Sequence, residues 1–560
     1  MSKSTPPRTD VGTIILHWLT AIAFAVSLFT GMRIAADALN APVSRWLSPV
    51  LPEGEIWTWH YLAGFFLLLS MVTYAVYLNR SGLAARNTLQ KLRLFTMPIA
   101  GKKRLEPANV LLHWSAYAII LTSAATGVVL YVGFGGWWVW VHSTTAFVGG
   151  AWVLFHVLTH FLQGGWPQLL RLFRPAKLIV TRAVKPMPLL AAFIAGTAGV
   201  AAVAGLDWSS RDTLVVARSE SAPVLDGDLG DAAWSKAVPI RIRTQQGSNF
   251  QHDSGETTVE VRAIHDRSKI YFAFKWDDPT RSLRRIPLVK KDNGWHVADD
   301  RADQMDVVDF YEDKLAVIFS DKPALGGAGV SSLGSNPLPG KPAPLNERGF
   351  HFTSDGSYVD MWQWKATRGG LMGFVDDQYI GPPYEPSEAE KAYTARYQGG
   401  YWNDPGRAFY SYNYKPLRKG HEGPVEVLRL PKDWRATVTQ LGKFDLEPKS
   451  NDDEAARWSM FEEETEPYSP EADALIPVGT VMPGVIISGK YEGDRANVAG
   501  GARWRDGQWI LETARSIMSE SKFDKSFSTD KALYMWVAAF DHVQTRHTRH
   551  TRPIRIQFQP

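Results

Sequence analysis

The chain contains no cysteine among its 560 residues. This absence excludes disulfide bonds, zinc–thiolate sites, iron–sulfur clusters held by cysteine, and c-type haem attached through thioether bonds. Any redox centre in the chain must therefore be held by His, Met, Lys or Tyr side chains. The sequence also has no Gly-rich phosphate loop in the strand-to-helix context that such a loop requires.

Charged residues are scarce in the first two hundred positions. Five stretches there are almost free of Asp, Glu, Lys and Arg: 11–32, 56–78, 108–136, 137–162 and 186–206. Each approaches or exceeds the roughly 20 apolar residues that cross the core of a lipid bilayer. We therefore predict five transmembrane helices.

Basic residues concentrate in two loops between these stretches. The loop at 79–107 has seven basic residues against one acidic residue, and the loop at 163–185 has five against none. Since Lys and Arg next to membrane helices stay in the cytoplasm, the amino terminus is predicted to be cytoplasmic. Five crossings of a bacterial inner membrane then place residues 207–560 in the periplasm. The net charge of +4 follows this topology, so no nucleic-acid partner is predicted.

Six histidines fall inside the apolar stretches. A titratable side chain at membrane depth is costly, so it marks a functional hypothesis. Their distance from the helix ends sorts five of them into two layers, three near the cytoplasm and two near the periplasm. The six are His17, His113 and His156 in the first layer, His60 and His142 in the second, and His160.

The spacing on the fourth predicted helix indicates a cofactor. His142 and His156 are fourteen residues apart, which places them on one helix face with about 21 Å between them along the axis. One helix can thus offer an axial ligand to each of two stacked haems. Depth pairs His60 with His142 in one layer, and either His17 or His113 with His156 in the other.

An apolar phrase occurs twice, once around His17 and again around His113. Each copy has His-Trp, then eleven residues, then Thr-Gly. We interpret the echo as a duplicated helix pair, in which the small Thr-Gly residues let a helix or a haem approach the backbone closely. For His113 we favour contact with a haem propionate or a quinone. The alternatives are a ligand role in place of His17 and a relic satisfied by hydrogen bonding.

These histidine positions resemble those of the bacterial di-haem cytochrome b family, which includes cytochrome b-561 and the cytochrome b subunits of nickel-iron hydrogenase and formate dehydrogenase. The resemblance covers roughly residues 8–185. It implies a four-helix haem bundle that exchanges electrons with the quinone pool. It also implies the ligand pairs His60 with His142 and His17 with His156. The second His-Trp, at His113, departs from the family pattern.

After residue 206 the sequence becomes rich in short alternating segments. Period-two patterns occur at 258–264, 270–276, 314–319, 504–513, 534–540 and 554–558. Alternation of apolar and polar residues indicates half-buried strands, and we predict a periplasmic antiparallel β-sandwich. The chain thus divides into a di-haem transmembrane domain at 1–185, a fifth transmembrane helix at 186–206 and a β-rich domain at 207–560.

Three phrases of the β-rich part resemble the haem-binding domain of the ethylbenzene dehydrogenase gamma subunit. They are "VLDGDLGDAAW" from Val224, "YFAFKWDDPT" from Tyr271 and "YVDMWQWKATR" from Tyr358. The resemblance implies one b-type haem held between a Lys and a Met. Lys365 matches the Lys, but Ile318 stands where the Met is expected. The substitutes for the sixth ligand are His351 first, then Met361 and Met305.

Three further histidines, His542, His547 and His550, are interleaved with Arg546 and Arg549. Because the arginines would repel a cation, we expect a solvated basic turn there rather than a metal site.

The sequence therefore predicts a membrane-bound b-type cytochrome with two membrane haems and a third in the periplasmic domain. Its expected partners are quinone or quinol and a periplasmic electron carrier or oxidoreductase. Quinol oxidation or quinone reduction is the candidate reaction, and no catalytic residue is assigned. The alternative is a carbohydrate-binding-like module fused to the cytochrome, with Trp362 and Trp364 in a ligand platform.

Overall fold

The computed structural model divides into two compact units. One comprises Met1–Pro52, Ile56–Leu130 and Trp137–Ser210, and the other comprises Glu53–Glu55, Tyr131–Gly136 and Arg211–Pro560. The structure describes residues 6–36, 42–96, 106–178, 187–250, 255–304, 306–327, 330–331, 351–384, 400–417, 420–442, 451–452, 454–528 and 531–559.

The first unit is helical, with one short pair of strands, β1 (Thr9–Asp10) and β2 (Pro175–Ala176), that run parallel. Its helices are α1 (Val11–Ala36), α2 (Pro42–Leu47), α3 (Ile56–Arg80), α4 (Glu106–Tyr131), α5 (Trp137–Leu169) and α6 (Pro188–Ser209).

Five helices in the described part of the chain are long and apolar enough to cross a membrane, which confirms the predicted number. They are α1, α3, α4, α5 and α6. Helix α5 continues past the predicted end at residue 162 to Leu169. Its geometry breaks at Gly165, whose φ of 61° and ψ of −156° are not helical.

Small residues let the helices of this unit pack closely. A β-carbon on Gly149 of α5 would lie 3.0 Å from the Phe24 ring on α1 and 3.3 Å from Ile119 on α4. On α6, a β-carbon at Gly196 would lie 2.5 Å from the Thr73 hydroxyl of α3. Glycines thus allow α5 to approach both α1 and α4, as small residues do in membrane bundles.

The second unit consists mainly of strands, with two short helices, α7 (Trp434–Gln440) and α8 (Pro470–Ala474). Its strands are β3 (Thr213–Arg218), β4 (Ile240–Thr244), β5 (Thr257–His265), β6 (Lys269–Asp277), β7 (Leu288–Lys291), β8 (Gly294–Val297), β9 (Lys314–Ser320), β10 (Val330–Ser331), β11 (Phe352–Thr353), β12 (Val359–Lys365), β13 (Phe374–Ile380), β14 (Tyr401–Asn403), β15 (Gly406–Arg407), β16 (Tyr410–Tyr412), β17 (Arg429–Pro431), β18 (Met460–Phe461), β19 (Thr465–Pro467), β20 (Val481–Met482), β21 (Val485–Ile487), β22 (Glu492–Gly493), β23 (Val498–Arg505), β24 (Gln508–Ser516), β25 (Leu533–Phe540) and β26 (Ile554–Phe558).

Ten of these strands close into a barrel-like ring. The order is β12-β9-β25-β26-β3-β5-β6-β24-β23-β13, and β13 pairs again with β12. The expected antiparallel arrangement fails at two pairings, because β3 runs parallel to both β26 and β5. No short hairpin joins β3 to either neighbour, and only antiparallel neighbours can be joined by a tight hairpin.

The core lies inside the ring. Strands such as β5 alternate buried and half-buried residues, as period-two segments predict. Large aromatic side chains fill the interior, among them Phe272, Phe319 and Trp509. One predicted strand, 504–513, is wrong: Asp506 and Gly507 have positive φ angles of 53° and 76° and form the turn of a hairpin between β23 and β24.

Candidate functional site

Two histidines face each other from α3 and α5. The ring centres of His60 and His142 are 6.1 Å apart, with an interplanar angle of 82°. The positions of these two residues along their helices predict that they form a pair, and the structure brings them together. Their role as ligands stays a prediction.

A threonine from a neighbouring helix contacts each of these rings. Thr30 Oγ1 lies 3.1 Å from Nδ1 of His60, and Thr126 Oγ1 lies 2.9 Å from Nδ1 of His142. Each hydroxyl also donates to a carbonyl of its own helix, at 2.6 Å and 2.7 Å respectively. The threonine oxygen therefore accepts from Nδ1–H, which leaves Nε2 of the imidazole with a free lone pair, the form that binds a metal.

The glycine that follows each threonine makes room for the same ring. A β-carbon on Gly31 would lie 3.0 Å from Cε1 of His60, and one on Gly127 would lie 3.3 Å from Cε1 of His142. The repeated Thr-Gly thus has the same structural role twice. The threonine orients a histidine on the next helix of the pair, and the glycine admits its ring.

A second group of histidines surrounds His156. Its ring centre is 6.3 Å from that of His17 and 6.0 Å from that of His113. The structure therefore brings together all three residues of the predicted layer. The His156 ring stacks on Trp152, at 4.8 Å and 18°, and its Nδ1 has no hydrogen-bond partner within the described part of the chain. Trp152 donates in turn to the Leu112 carbonyl at 2.9 Å.

His113 is held by its own helix. Its Nδ1 lies 2.6 Å from the carbonyl oxygen of Asn109, one turn earlier in α4. A carbonyl accepts only, so Nδ1 carries the hydrogen and Nε2 is free. This tautomer suits a metal ligand, and it equally suits a residue that accepts a hydrogen bond from a quinol.

In the second unit, Lys365 is buried, with 3% of its surface exposed. Its Nζ is ion-paired with Asp376, which also accepts hydrogen bonds from Arg495 at 2.5 Å and 2.9 Å. Burial alone would raise the pKa of Asp376. The charges of Lys365 and Arg495 outweigh burial and hold that pKa below its ordinary value. Nζ of Lys365 is thus occupied by a buried ion pair with Asp376 in this structure, and the role of Lys365 as a haem ligand stays a prediction.

His351 instead meets a different residue. Its ring centre is 6.0 Å from that of His547, with an angle of 38°. Nδ1 of His547 lies 2.7 Å from the Thr548 carbonyl, so the hydrogen sits on Nδ1 and Nε2 is free. Burial, and next the imidazole of His351, lower the pKa of His547 to about 3. The ring is therefore neutral near pH 7.

Small side chains lie beside this pair on the outer surface of the ring. Ala316 of β9 pairs with Ala538 of β25. Ala316 belongs to an apolar cluster with Phe540, and the Phe540 ring contacts His547 with centres 5.0 Å apart. Ala316 and Ala538 thus form a floor of small side chains beside the Phe540 ring, over which Nζ of Lys314 lies 4.0 Å from the ring centre.

Two predictions about this unit need correction. His542 is buried, with 2% of its surface exposed, and His547 and His550 are half-buried, so the basic segment is not a solvated turn. Trp362 and Trp364 are 1% and 2% exposed inside the ring, so neither forms a surface platform.

Sequence reasoning missed His547 as the neighbour of His351, since no spacing links residues so far apart. Met305 lies outside the described residues, and Met361 pairs with Ile318 across β12 and β9.

Two protein families match the chain. Ethylbenzene dehydrogenase matches residues 231–552, and prokaryotic cytochrome b561 matches residues 8–175. These matches confirm both resemblances predicted from the sequence. Comparison with curated proteins finds no match.

Among solved structures, the β-rich unit is similar to carbohydrate-binding proteins. A carbohydrate binding module family 9 from Caldicellulosiruptor kristjanssonii in complex with glucose has 8% identity and a TM-score of 0.23, covering 62% of this chain and 96% of that chain. A putative carbohydrate-binding protein from Bacteroides uniformis ATCC 8492 has 9% identity and a TM-score of 0.24, covering 62% and 100%. Similarity this low carries no argument about function.

The fold and the family matches agree along the chain. The first four apolar helices coincide with the cytochrome b561 match, α6 follows it, and the strand-rich unit contains the ethylbenzene dehydrogenase match. The chain belongs to the ethylbenzene dehydrogenase family and carries, at residues 8–175, the membrane region of a prokaryotic cytochrome b561.

Proposed function

We propose that this protein carries electrons between the quinone pool and a periplasmic electron carrier or oxidoreductase, using b-type haems held by three pairs of histidines. The pairs are His60 with His142, His17 with His156, and His351 with His547. Haem iron supplies one-electron redox chemistry when bound. The protein residues bind the haem, orient its ligands and exclude water.

The observation that carries this proposal is the spacing of the imidazole rings. A histidine nitrogen lies about 2 Å from a metal that it binds, and the ring centre lies about 1 Å further, so two imidazoles on opposite sides of one ion have centres about 6 Å apart. The three pairs have centres 6.3, 6.1 and 6.0 Å apart.

The tautomers support the same assignment. Nδ1–H of His60, His142 and His547 is directed at a protein oxygen in each case. This hydrogen bond fixes the ring and leaves Nε2 to bind a metal, as in other histidine-ligated metal centres. His113 shares this tautomer, and we assign it to contact with a quinol beside His156, because a quinol hydroxyl can donate to its free Nε2.

We propose His351 and His547, in place of Lys365, as the ligands of the third haem. Lys365 is tied to Asp376 in a buried ion pair. In the histidine pair, Nε2 of His547 carries no hydrogen and is free to bind a metal. The pair lies next to the floor formed by Ala316 and Ala538. A floor of small side chains suits a haem macrocycle, because the faces of the macrocycle are apolar.

The proposed topology follows from the basic loops. Residues 1–185 form the di-haem domain with a cytoplasmic amino terminus, 186–206 form the fifth helix, and 207–560 form a periplasmic domain of a bacterial inner-membrane protein. Electrons exchanged with quinol in the membrane would then reach the periplasmic side. The reaction is quinol oxidation or quinone reduction, and the protein needs no nucleophile for either.

Rapid mixing of the full chain in detergent with a reduced short-chain quinone tests this function. We expect the haem absorbance to show reduction, and we expect His156→Ala to slow it at least tenfold. The proposal is contradicted if dithionite reduces the haems of the wild type but neither quinol nor quinone changes their redox state. Asp506→Asn, in an exposed turn, is the matched control.

A further inference from the structure

Four aspartates meet at one end of the barrel-like ring, far in sequence from one another. Asp360 of β12 and Asp377 of β13 share the face that carries Trp362, since Trp362 and Asp377 are direct partners. Asp524 comes from the segment that follows β24, and Asp404 follows β14. Asp360, Asp377 and Asp404 are buried, with 0%, 0% and 2% of their surface exposed, and Asp524 is a half-buried residue whose side chain is 1% exposed.

Three of the four carboxylates converge. One oxygen from each of Asp360, Asp377 and Asp524 lies within 4.8 Å of the others. Two oxygens on opposite sides of a calcium ion, each about 2.4 Å from it, would be about 4.8 Å apart. The three oxygens can therefore share one cation without movement of the backbone.

Hydrogen bonds hold one oxygen of Asp360 and one of Asp524 and leave the other oxygen of each residue without a donor. Oδ2 of Asp360 accepts from Arg515 at 2.7 Å and from the Lys525 amide at 2.8 Å. Oδ2 of Asp524 accepts from Ser519 at 2.5 Å. Oδ1 of both residues, and both oxygens of Asp377, have no partner among the residues that the structure describes.

Asp404 is a separate indication of a ligand. It stands outside the group of three, yet neither of its oxygens has a hydrogen-bond partner in the described ranges. The Asp404 amide donates to the Asp377 carbonyl at 3.2 Å, so Asp404 lies directly beside a member of the group. A buried, unpartnered carboxylate beside three others is costly unless a cation neutralises it.

The charges of the cluster do not balance. Arg515 is ion-paired with Asp360 at 2.7 Å and lies 3.7 Å from Asp524. Four ionised carboxylates against this one guanidinium would leave an excess of negative charge, which a bound cation would offset.

We propose that Asp360, Asp377 and Asp524 bind a calcium ion, with Asp404 as a further ligand or as a partner of a bound water. The donors are all oxygen, which suits a hard cation, and carboxylates in an irregular set suit calcium better than magnesium. A cavity of about 230 Å³, lined by Asp524, Arg515, Ser519 and Asn497 among others, adjoins the cluster and offers an entry path and room for water. The ion would tie β12, β13 and the segment at 519–527 together.

The test is calcium binding by the full chain in detergent, stripped with EGTA and then dialysed against calcium chloride. Metal content is measured by mass spectrometry and affinity by titration. We expect Asp377→Asn to lose one calcium per chain, or to bind it at least about tenfold more weakly. Calcium should raise the unfolding temperature of the wild type and not that of the variant. If Asp377→Asn fails to fold, Asp524→Asn is the second variant, and it should lose calcium binding in the same way.

Two controls locate the ion. Asp506→Asn changes an exposed carboxylate and should keep full calcium binding. Asp541 belongs to another buried group, with Asp313 and His542, and Asp541→Asn should also keep full calcium binding. The proposal is overturned if the wild type binds no calcium, if Asp377→Asn and Asp524→Asn bind as the wild type does, or if magnesium competes equally. It is also overturned if Asp377→Asn stabilises the chain in EGTA while calcium has no effect, since the carboxyls would then share protons.

Discussion

The hydroxyl oxygen of Thr30 lies 3.1 Å from Nδ1 of His60, across the contact between α1 and α3. Thr126 and His142 repeat this relationship between α4 and α5, at 2.9 Å. The chain thus uses one device twice, in which a threonine fixes the tautomer of a histidine on the following long helix. This device explains why the two His-Trp phrases both end in Thr-Gly.

Replacing Thr30 with valine removes the hydroxyl at nearly constant volume. His60 keeps its contact with the Ser27 carbonyl at 3.1 Å, so we expect the haem to remain but with weaker binding, by about 10- to 100-fold, as loss of an outer hydrogen bond to a ligand typically causes. Haem retention on dilution and the midpoint potential in a redox titration measure this. Thr159→Val, on an exposed part of α5, should change neither. An unaltered potential and affinity in Thr30→Val would refute the orienting role.

Substitution of Gly31 should be more harmful than that of Gly127. A β-carbon at Gly31 approaches His60 to 3.0 Å, against 3.3 Å at Gly127 for His142, while one at Gly205 of α6 meets nothing within 4 Å. We therefore expect haem content to fall most in Gly31→Ala, less in Gly127→Ala and not at all in Gly205→Ala. Equal haem content in the three variants would show that the glycines do not admit the rings.

The ring centres of His17 and His113 lie 6.3 Å and 6.0 Å from that of His156. Both distances are close to the separation expected for two imidazoles bound to one iron. We expect His17→Ala to lose one haem per chain and His113→Ala to keep all haems while reacting more slowly with quinol. Haem counts and the low-spin electron paramagnetic resonance signals distinguish the two variants. The reverse pattern would make His113 the ligand.

Asp266 makes the stability of the β-rich unit depend on pH. Burial opposes its ionisation, but hydrogen bonds from Tyr271, Lys269 and Ser268 outweigh burial and lower the pKa of Asp266 to about 2. Because the folded pKa lies below the ordinary value of 3.8 for an aspartate, the stabilisation is present above about pH 4 and is lost as the pH falls towards 2. Asp266→Asn should lower the unfolding temperature at pH 6 and have a smaller effect at pH 2.5. Equal effects at both values would disprove the ionic contribution.

Much of the membrane unit could be predicted from sequence because its determinants are local. Apolar length defines the helices, and a fixed rise per residue places His142 and His156 on one face of α5. Apolar length alone did not predict the break at Gly165 and the continuation of α5 to Leu169, although Gly164, Gly165 and Pro167 are local signals of a helix break.

The β-rich unit was less predictable because its contacts are distant in sequence. Alternation located most strands, but closure of the ring through β12 and β13 and the parallel pairings of β3 depend on strand order, which no local pattern encodes. For the same reason His351 could be nominated as a ligand, but its neighbour His547 could not. The ion pair between Lys365 and Asp376 joins adjacent strands whose register the sequence does not reveal.

The most direct test of the account is the haem-to-protein ratio of the purified full chain, measured by the pyridine haemochrome method beside His60→Ala, His547→Ala and Lys365→Gln. Three histidine pairs predict three haems in the wild type, two in each histidine variant and three in Lys365→Gln. Two haems in the wild type, or three in His547→Ala with a loss in Lys365→Gln, would contradict the assignment of His351 and His547. Full haem content in His60→Ala would contradict the histidine-pair account itself.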